Sequence, residues 1–193
     1  MRVWREIVSD MTGTKVMSRL VQGDVGSGKT AIAILALTKI VENGYQGALM
    51  APTEVLAAQH FKTFQQVFKG MPIKTAYLSG HTKAAERKEI LEQLKDGSIH
   101  ILIGTHALIE ENVVFSALGL VITDEQHRFG VKQRQALESK GKSPHVLIMT
   151  ATPIPRTMAL SVYGDLDVSF IKGMPPGRHP VKTYVVGSHM LQR

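Results

Sequence analysis

The feature that most constrains the fold is an eight-residue loop between an apolar segment and a long helical segment. It consists of Gly23, Asp24, Val25, Gly26, Ser27, Gly28, Lys29 and Thr30, and it fits the pattern G-x-x-x-x-G-K-[ST]. Residues 16–22 before it are predicted to form a strand and residues 31–41 after it a helix, capped at Asn43 and Gly44. The glycines allow a tight turn whose N–H groups point inward, and the positive end of the helix dipole lies at the same place. This combination predicts an α/β fold that binds a nucleoside triphosphate.

Two side chains of the loop carry its chemistry. Lys29 is predicted to reach the β- and γ-phosphates of ATP, as a catalytic residue, and the Thr30 hydroxyl to hold Mg²⁺. The alternative is a glycine-rich turn that contains a lysine by chance. The agreement of the pattern with the strand before it and the helix after it argues against that alternative, so ATP and Mg²⁺ are the predicted cofactors.

Strands and helices alternate along the chain. Later strands are predicted at residues 47–50, 74–78, 100–103, 118–123, 145–149, 168–171 and 181–186. Helices are predicted at residues 3–11, after an N-cap at Thr53, around residues 90–94 and 131–137, and from Pro155 onward. This order predicts a mostly parallel sheet with helices on both faces. Because ligands bind at the carboxyl ends of the strands in such sheets, motifs that follow strands should converge there.

Composition narrows the class of protein further. The 193 residues carry a net charge of +7, which favours a polyanionic partner without requiring one. The chain has no cysteine, which excludes disulfides, thiolate metal sites and cysteine nucleophiles. It also has no apolar run of about 18 residues and no apolar core near its charged N-terminus. We therefore expect a soluble, cytoplasmic protein.

A second motif, Asp124-Glu125-Gln126-His127, directly follows the apolar strand 118–123. A phosphate-loop enzyme needs a carboxylate at such a strand end to hold Mg²⁺, and Asp124 is the candidate. Glu125 is predicted to be catalytic, since it could position and deprotonate the attacking water. The alternative is a polar strand end that leads into a surface turn. His127 has no neighbouring His or Cys at the spacing that metal ligands require.

A third motif covers residues 150–157, after the strand 145–149. Thr150 and Thr152 could hydrogen-bond to Gln126 and His127 and so relay the state of the nucleotide. Spacing alone equally allows a turn with a helix cap. Arg156, like Arg128, is predicted to couple this relay to the site, with a surface salt bridge as the alternative.

Together these stretches resemble motifs I, II and III of the superfamily 2 helicases, motif II being in its Asp-Glu-x-His form. Residues 51–53 resemble motif Ia, and residues 104–106 resemble a further DNA-contact motif. The extended motifs are similar to those of the RecG-type branch-migration helicases and of the related transcription-repair coupling factors. Gln126 and the segments 162–168 and 175–178 favour the RecG type, and the resemblance covers nearly the whole chain.

The resemblance implies a RecA-like P-loop NTPase domain that serves as the first motor lobe of an ATP-dependent DNA helicase. Such enzymes act on branched DNA in recombination and repair. The resemblance assigns residues 1–173 to the lobe and residues 174–193 to a connection toward a second RecA-like lobe that carries arginine fingers. An upstream wedge domain and an adenine-reading glutamine motif are expected outside the chain. Sequence-independent DNA contacts are implied for Pro52, Thr53, Thr105 and His106.

Two other classes of function fit the motifs less well. A GTPase is disfavoured because neither Asn43 nor Asn112 begins the guanine-reading sequence Asn-Lys-x-Asp. A non-catalytic, nucleotide-dependent protein switch would not need a water-activating base such as Glu125. The motor lobe of a transcription-repair coupling factor stays open as the alternative within the helicases.

Overall fold

The structure is a computed structural model, and it describes residues 2–124, 131–152 and 166–171. Its helices are α1 (Arg2–Met11), α2 (Lys29–Glu42), α3 (Glu54–Val67), α4 (Ala84–Lys95) and α5 (Val131–Glu138). Its strands are β1 (Ser18–Gln22), β2 (Gln46–Met50), β3 (Thr75–Leu78), β4 (Ile101–Gly104), β5 (Leu118–Asp124), β6 (His145–Thr150) and β7 (Asp167–Phe170). A short 3₁₀ helix spans His106–Ile109.

The strands form one seven-stranded sheet in the order β3-β4-β2-β5-β6-β1-β7. Every pairing between neighbouring strands is parallel. This confirms the predicted fold class, a parallel α/β sheet. Strand β6 lies between β5 and β1, so the ends of all three strands meet at the carboxyl edge. The phosphate loop follows β1, and Asp124 at the end of β5 lies opposite Met149 of β6.

Helices cover both faces of the sheet, and each face has its own apolar core. Helices α1, α2 and α3 pack on one face, where Leu49 of β2 is buried. Helix α4, the 3₁₀ helix and α5 pack on the other, where Ala48 and Met50 of the same strand are buried. Successive strand residues point to opposite faces, which explains why the predicted strands are runs of apolar residues. Complete burial of one such large side chain contributes about 1.5–3 kcal/mol.

Seven of the predicted strands are present, with ends that differ by one or two residues. The 3₁₀ helix was not predicted. Helix α2 begins at Lys29 rather than residue 31, so Lys29 and Thr30 lie in its first turn. The strand predicted at 181–186 and the helix predicted from Pro155 lie outside the described residues. Within the described ranges, no helix has both the length and the apolar character that crossing a bilayer demands.

Candidate nucleotide-binding site

The phosphate loop has the backbone geometry that its glycines predict. Gly28 caps α2 with φ 97° and ψ 16°, in the left-handed region that strains any residue with a Cβ atom. Gly23 is required for space, because a Cβ there would lie 2.5 Å from Ser27 Oγ and 3.0 Å from Ile171 Cβ. The loop is therefore a tight turn that delivers the chain directly into the N-terminus of α2.

Lys29 lies across this loop. Its Nζ donates to the carbonyl oxygen of Gly23 at 2.7 Å and to that of Asp24 at 3.0 Å. These bonds hold the ammonium beside the backbone amides at the start of α2, which together form an anion-binding arrangement. Ser27 Oγ is buried and has no hydrogen-bond partner among the described residues, so it retains capacity for a bound group. The residues of the loop therefore fit a triphosphate.

Asp124 occupies the end of β5, as predicted, and is buried. Its Oδ2 lies 2.7 Å from Nε2 of His60, a buried residue in the middle of α3. Both residues line a cleft of about 540 Å³ together with Lys29 and Thr30. The cleft thus brings the lysine, the hydroxyl and the carboxylate of the predicted site to one place.

The same cleft fits a magnesium ion that is shared with phosphates. A site made of protein side chains alone is absent, because the described parts of the chain hold no group of three or more His, Cys, Asp or Glu side chains that could bind a metal ion. Magnesium in proteins is typically bound through one or two carboxylates, substrate phosphates and water. Asp124 and the Thr30 hydroxyl match that mode of binding.

The third motif is attached to the phosphate loop. The Gly23 N–H donates to the Thr150 carbonyl at 3.2 Å, so the end of β6 is hydrogen-bonded to the first residue of the loop. The Thr150 and Thr152 hydroxyls are 2.8 Å apart, and the Thr152 N–H donates to Thr150 Oγ1 at 3.1 Å. Thr150 is therefore placed where a change in the loop could reach the chain that follows β6.

The two predicted DNA-contact loops lie side by side, since the Ala51 N–H donates to the Gly104 carbonyl at 2.9 Å. Thr53 caps α3 as predicted: its Oγ1 accepts from the Leu56 N–H at 3.3 Å. His106 is exposed, and Pro52 is partly so.

The structure argues against a DNA contact through the side chain of Thr105, which is only 3% exposed. Its N–H lies 3.4 Å from the Leu78 carbonyl, so the end of β3 lies close to it. Its hydroxyl has no hydrogen-bond partner among the residues that the structure describes. Thr105 therefore supports the loop from inside, and the surface position next to it is His106.

An unpredicted ion pair lies beside these loops. His81 Nδ1 is 2.9 and 3.0 Å from the two carboxylate oxygens of Glu54, the first residue of α3. The hydrogen bond and the charge of Glu54 raise the pKa of His81. The same bond lowers the pKa of Glu54, with a smaller contribution from the charge of His106. At a pH between the pKa of Glu54 and the pKa of His81, the His81 imidazolium is paired with the Glu54 carboxylate.

Two of these contacts could not be predicted from local sequence patterns. His60 and Asp124 are 64 residues apart, and His81 and Glu54 are 27 apart, so no local spacing connects them. Five predicted site or coupling residues lie outside the described ranges, namely Glu125, Gln126, His127, Arg128 and Arg156. Their roles therefore stay predictions.

The sequence of the chain is similar to those of known helicases. Residues 2–160 match the family model described as DEAD/DEAH box helicase. The chain is 56% identical over 192 residues to the ATP-dependent DNA helicase RecG of Bacillus subtilis, covering 100% of this chain and 28% of that protein. It is 53% identical over 184 residues to the ATP-dependent DNA helicase RecG of Aquifex aeolicus, covering 94% of this chain and 23% of that protein.

A solved structure of RecG bound to a three-way DNA junction is also similar. It superposes with a TM-score of 0.80 at 50% identity, covering 93% of this chain and 24% of that chain. The chain therefore spans about a quarter of the length of these relatives.

Proposed function

Because the chain belongs to the DEAD/DEAH box helicase family, we propose that it is the ATP-binding motor lobe of an ATP-dependent DNA helicase that acts on branched DNA. The observation that carries this proposal is the convergence of three separate motifs at one edge of the sheet. Lys29, Thr30 and Asp124 line one cleft, and the loop that bears Lys29 is hydrogen-bonded to Thr150. The similarity to RecG proteins supports DNA as the substrate.

In this proposal each residue has a distinct role. The amides at the start of α2 and the Lys29 ammonium bind the phosphates, and Thr30 and Asp124 hold the magnesium ion. A bound magnesium ion would supply positive charge that offsets the negative charge of the phosphates. Glu125 accepts the proton of the attacking water. Thr150 and Thr152, with Gln126, His127 and Arg156, couple the nucleotide state to movement.

The loops that contain Pro52, Thr53 and His106 are proposed to contact the DNA backbone. Both loops lie at the carboxyl edge, and the chain carries a net charge of +7. Amides and small polar groups at helix N-termini suit phosphate contacts, which position a protein without reading sequence. The lobe should therefore bind DNA of any sequence.

The proposed organisation places the lobe at residues 1–173 and a connection at residues 174–193. Its partners within the longer protein would be a wedge domain and a second RecA-like lobe. The second lobe would supply the arginine fingers that complete the catalytic site. This division rests on the resemblance of the motifs.

Fluorescence anisotropy tests the DNA part of the proposal. A three-way junction and two duplexes of unrelated sequence are titrated with the chain at several salt concentrations. The proposal predicts equal affinities for the two duplexes and a linear fall of log affinity with log salt, with a slope of about −0.9 per phosphate contact. His106→Ala should weaken binding, whereas Lys69→Ala, an exposed change beyond the end of α3, serves as the control. A strong preference for one duplex, or binding that ignores salt, would contradict backbone contact.

A further inference from the structure

A buried histidine contacts the carboxylate that the site offers to magnesium. His60 and Asp124 are each 8% exposed, and His60 Nε2 lies 2.7 Å from Asp124 Oδ2. A buried carboxylate is costly unless hydrogen bonds replace the lost water. An ionised carboxylate only accepts hydrogen bonds, so the Nε2–H of His60 must be the donor.

Resting on the function proposed above, we propose that His60 is a positioning residue for magnesium binding. It holds the Asp124 carboxylate through Oδ2 and leaves the second oxygen of that group for the cation. Carboxylates that bind metals are usually hydrogen-bonded themselves, and loss of such a partner typically weakens metal affinity about 10- to 100-fold. His60 acts on the metal only through Asp124.

Helix α3 holds His60 in a fixed place. Ala57, His60 and Phe64 are its buried residues, and their spacing of three and four puts them on one face. Ala57 and Phe64 are fully buried in the core between α3 and the sheet. The imidazole is therefore a polar group within an otherwise apolar stripe, which favours a role in holding Asp124 over one in packing.

The placement of the cleft also favours this role. His60 lines the same cleft as Lys29, Thr30 and Asp124, so the helix forms one wall of the nucleotide site. A histidine that only filled space could be replaced by an apolar side chain without consequence for the metal. A histidine that orients the carboxylate cannot be replaced in that way.

The test compares two neutral polar substitutions. His60→Gln can put an amide N–H near the position of Nε2, whereas the shorter side chain of His60→Asn places its N–H near Nδ1 and short of Asp124. Gln65→Ala, an exposed change on the same helix, is the matched control. Mn²⁺ affinity in the presence of ATP is measured by electron paramagnetic resonance, and ATP affinity in EDTA by calorimetry.

The inference predicts Mn²⁺ affinity close to that of the unsubstituted chain for His60→Gln and Gln65→Ala, and a loss of about 10- to 100-fold for His60→Asn. The affinity for metal-free ATP should be the same in all four proteins. Equal Mn²⁺ affinity of His60→Asn and the unsubstituted chain would overturn the positioning role, as would a loss in His60→Gln equal to that in His60→Asn. If the unsubstituted chain bound ATP neither with nor without metal, the proposed function itself would fail.

Discussion

Replacing Lys29 by alanine should weaken ATP binding strongly while leaving the fold intact. The Lys29 ammonium makes two bonds to loop carbonyls, at 2.7 and 3.0 Å, and must exchange them for bonds to the phosphates. A hydrogen bond to a charged group contributes about 1.5–3 kcal/mol, so its loss should weaken ATP binding about 10- to 150-fold. Both loop bonds are partly or fully exposed to water, so their loss should lower the free energy of unfolding only modestly and leave the protein folded.

Isothermal titration calorimetry with Mg·ATP measures the affinity, and thermal unfolding followed by circular dichroism checks the fold. Lys62→Ala is the matched control, because it removes one positive charge from the net +7 at an exposed position on α3. A folded Lys29→Ala protein that binds Mg·ATP as tightly as the control would refute the assignment of the phosphate loop.

Three further predictions follow from the described contacts and the motif assignments. NMR titration should place the pKa of His81 above 6.5, and Glu54→Gln should bring it back toward 6.5; an unchanged value would exclude the ion pair as the cause. The raised pKa of His81 adds to the free energy of unfolding at low pH, and this contribution is lost as the pH rises through that pKa. The lowered pKa of Glu54 adds to the free energy of unfolding at higher pH, and this contribution is lost as the pH falls through that pKa. Burial lowers the pKa of His145, whose Nδ1 accepts from the Met17 N–H at 2.9 Å, so the free energy of unfolding should fall as the pH drops below 6.5. His145→Asn keeps an acceptor and cannot be protonated there, so it should reduce that fall, and an identical pH profile in urea unfolding would contradict the cause. In a longer protein that includes this chain, the Glu125→Gln variant should bind Mg·ATP without hydrolysing it. The Asp124→Ala variant should instead show impaired magnesium-dependent binding of ATP. Normal turnover by Glu125→Gln in a phosphate-release assay would exclude Glu125 as the base.

The fold could be predicted because its strands are short apolar runs separated by helical patterns. Parallel topology then brings strand ends together, which is how Lys29 and Asp124 could be assigned to one site from 95 residues apart in sequence. That step uses only the rule that ligands bind at the carboxyl edge.

Other features depended on packing that local patterns do not encode. Thr105 follows a strand end just as Thr53 does, yet its side chain is buried beside the end of β3. His60 falls on the apolar stripe of α3, and its partner becomes visible only when that helix is placed beside β5. The motif pattern places Lys29 and Thr30 in the loop rather than in α2, because the glycines before them obscure where the helix begins.

The proposal that this chain is one lobe of a two-lobed DNA motor is tested most directly by phosphate release. The chain alone is compared with a longer protein that extends through the proposed second lobe, each with and without a three-way DNA junction. We expect the chain alone to hydrolyse ATP slowly and not to respond to DNA, because an arginine finger is worth about 10³–10⁵ in rate in other phosphate-loop NTPases. The longer protein should be faster and stimulated by the junction. Equal rates and equal DNA stimulation in the two proteins would contradict the two-lobed account.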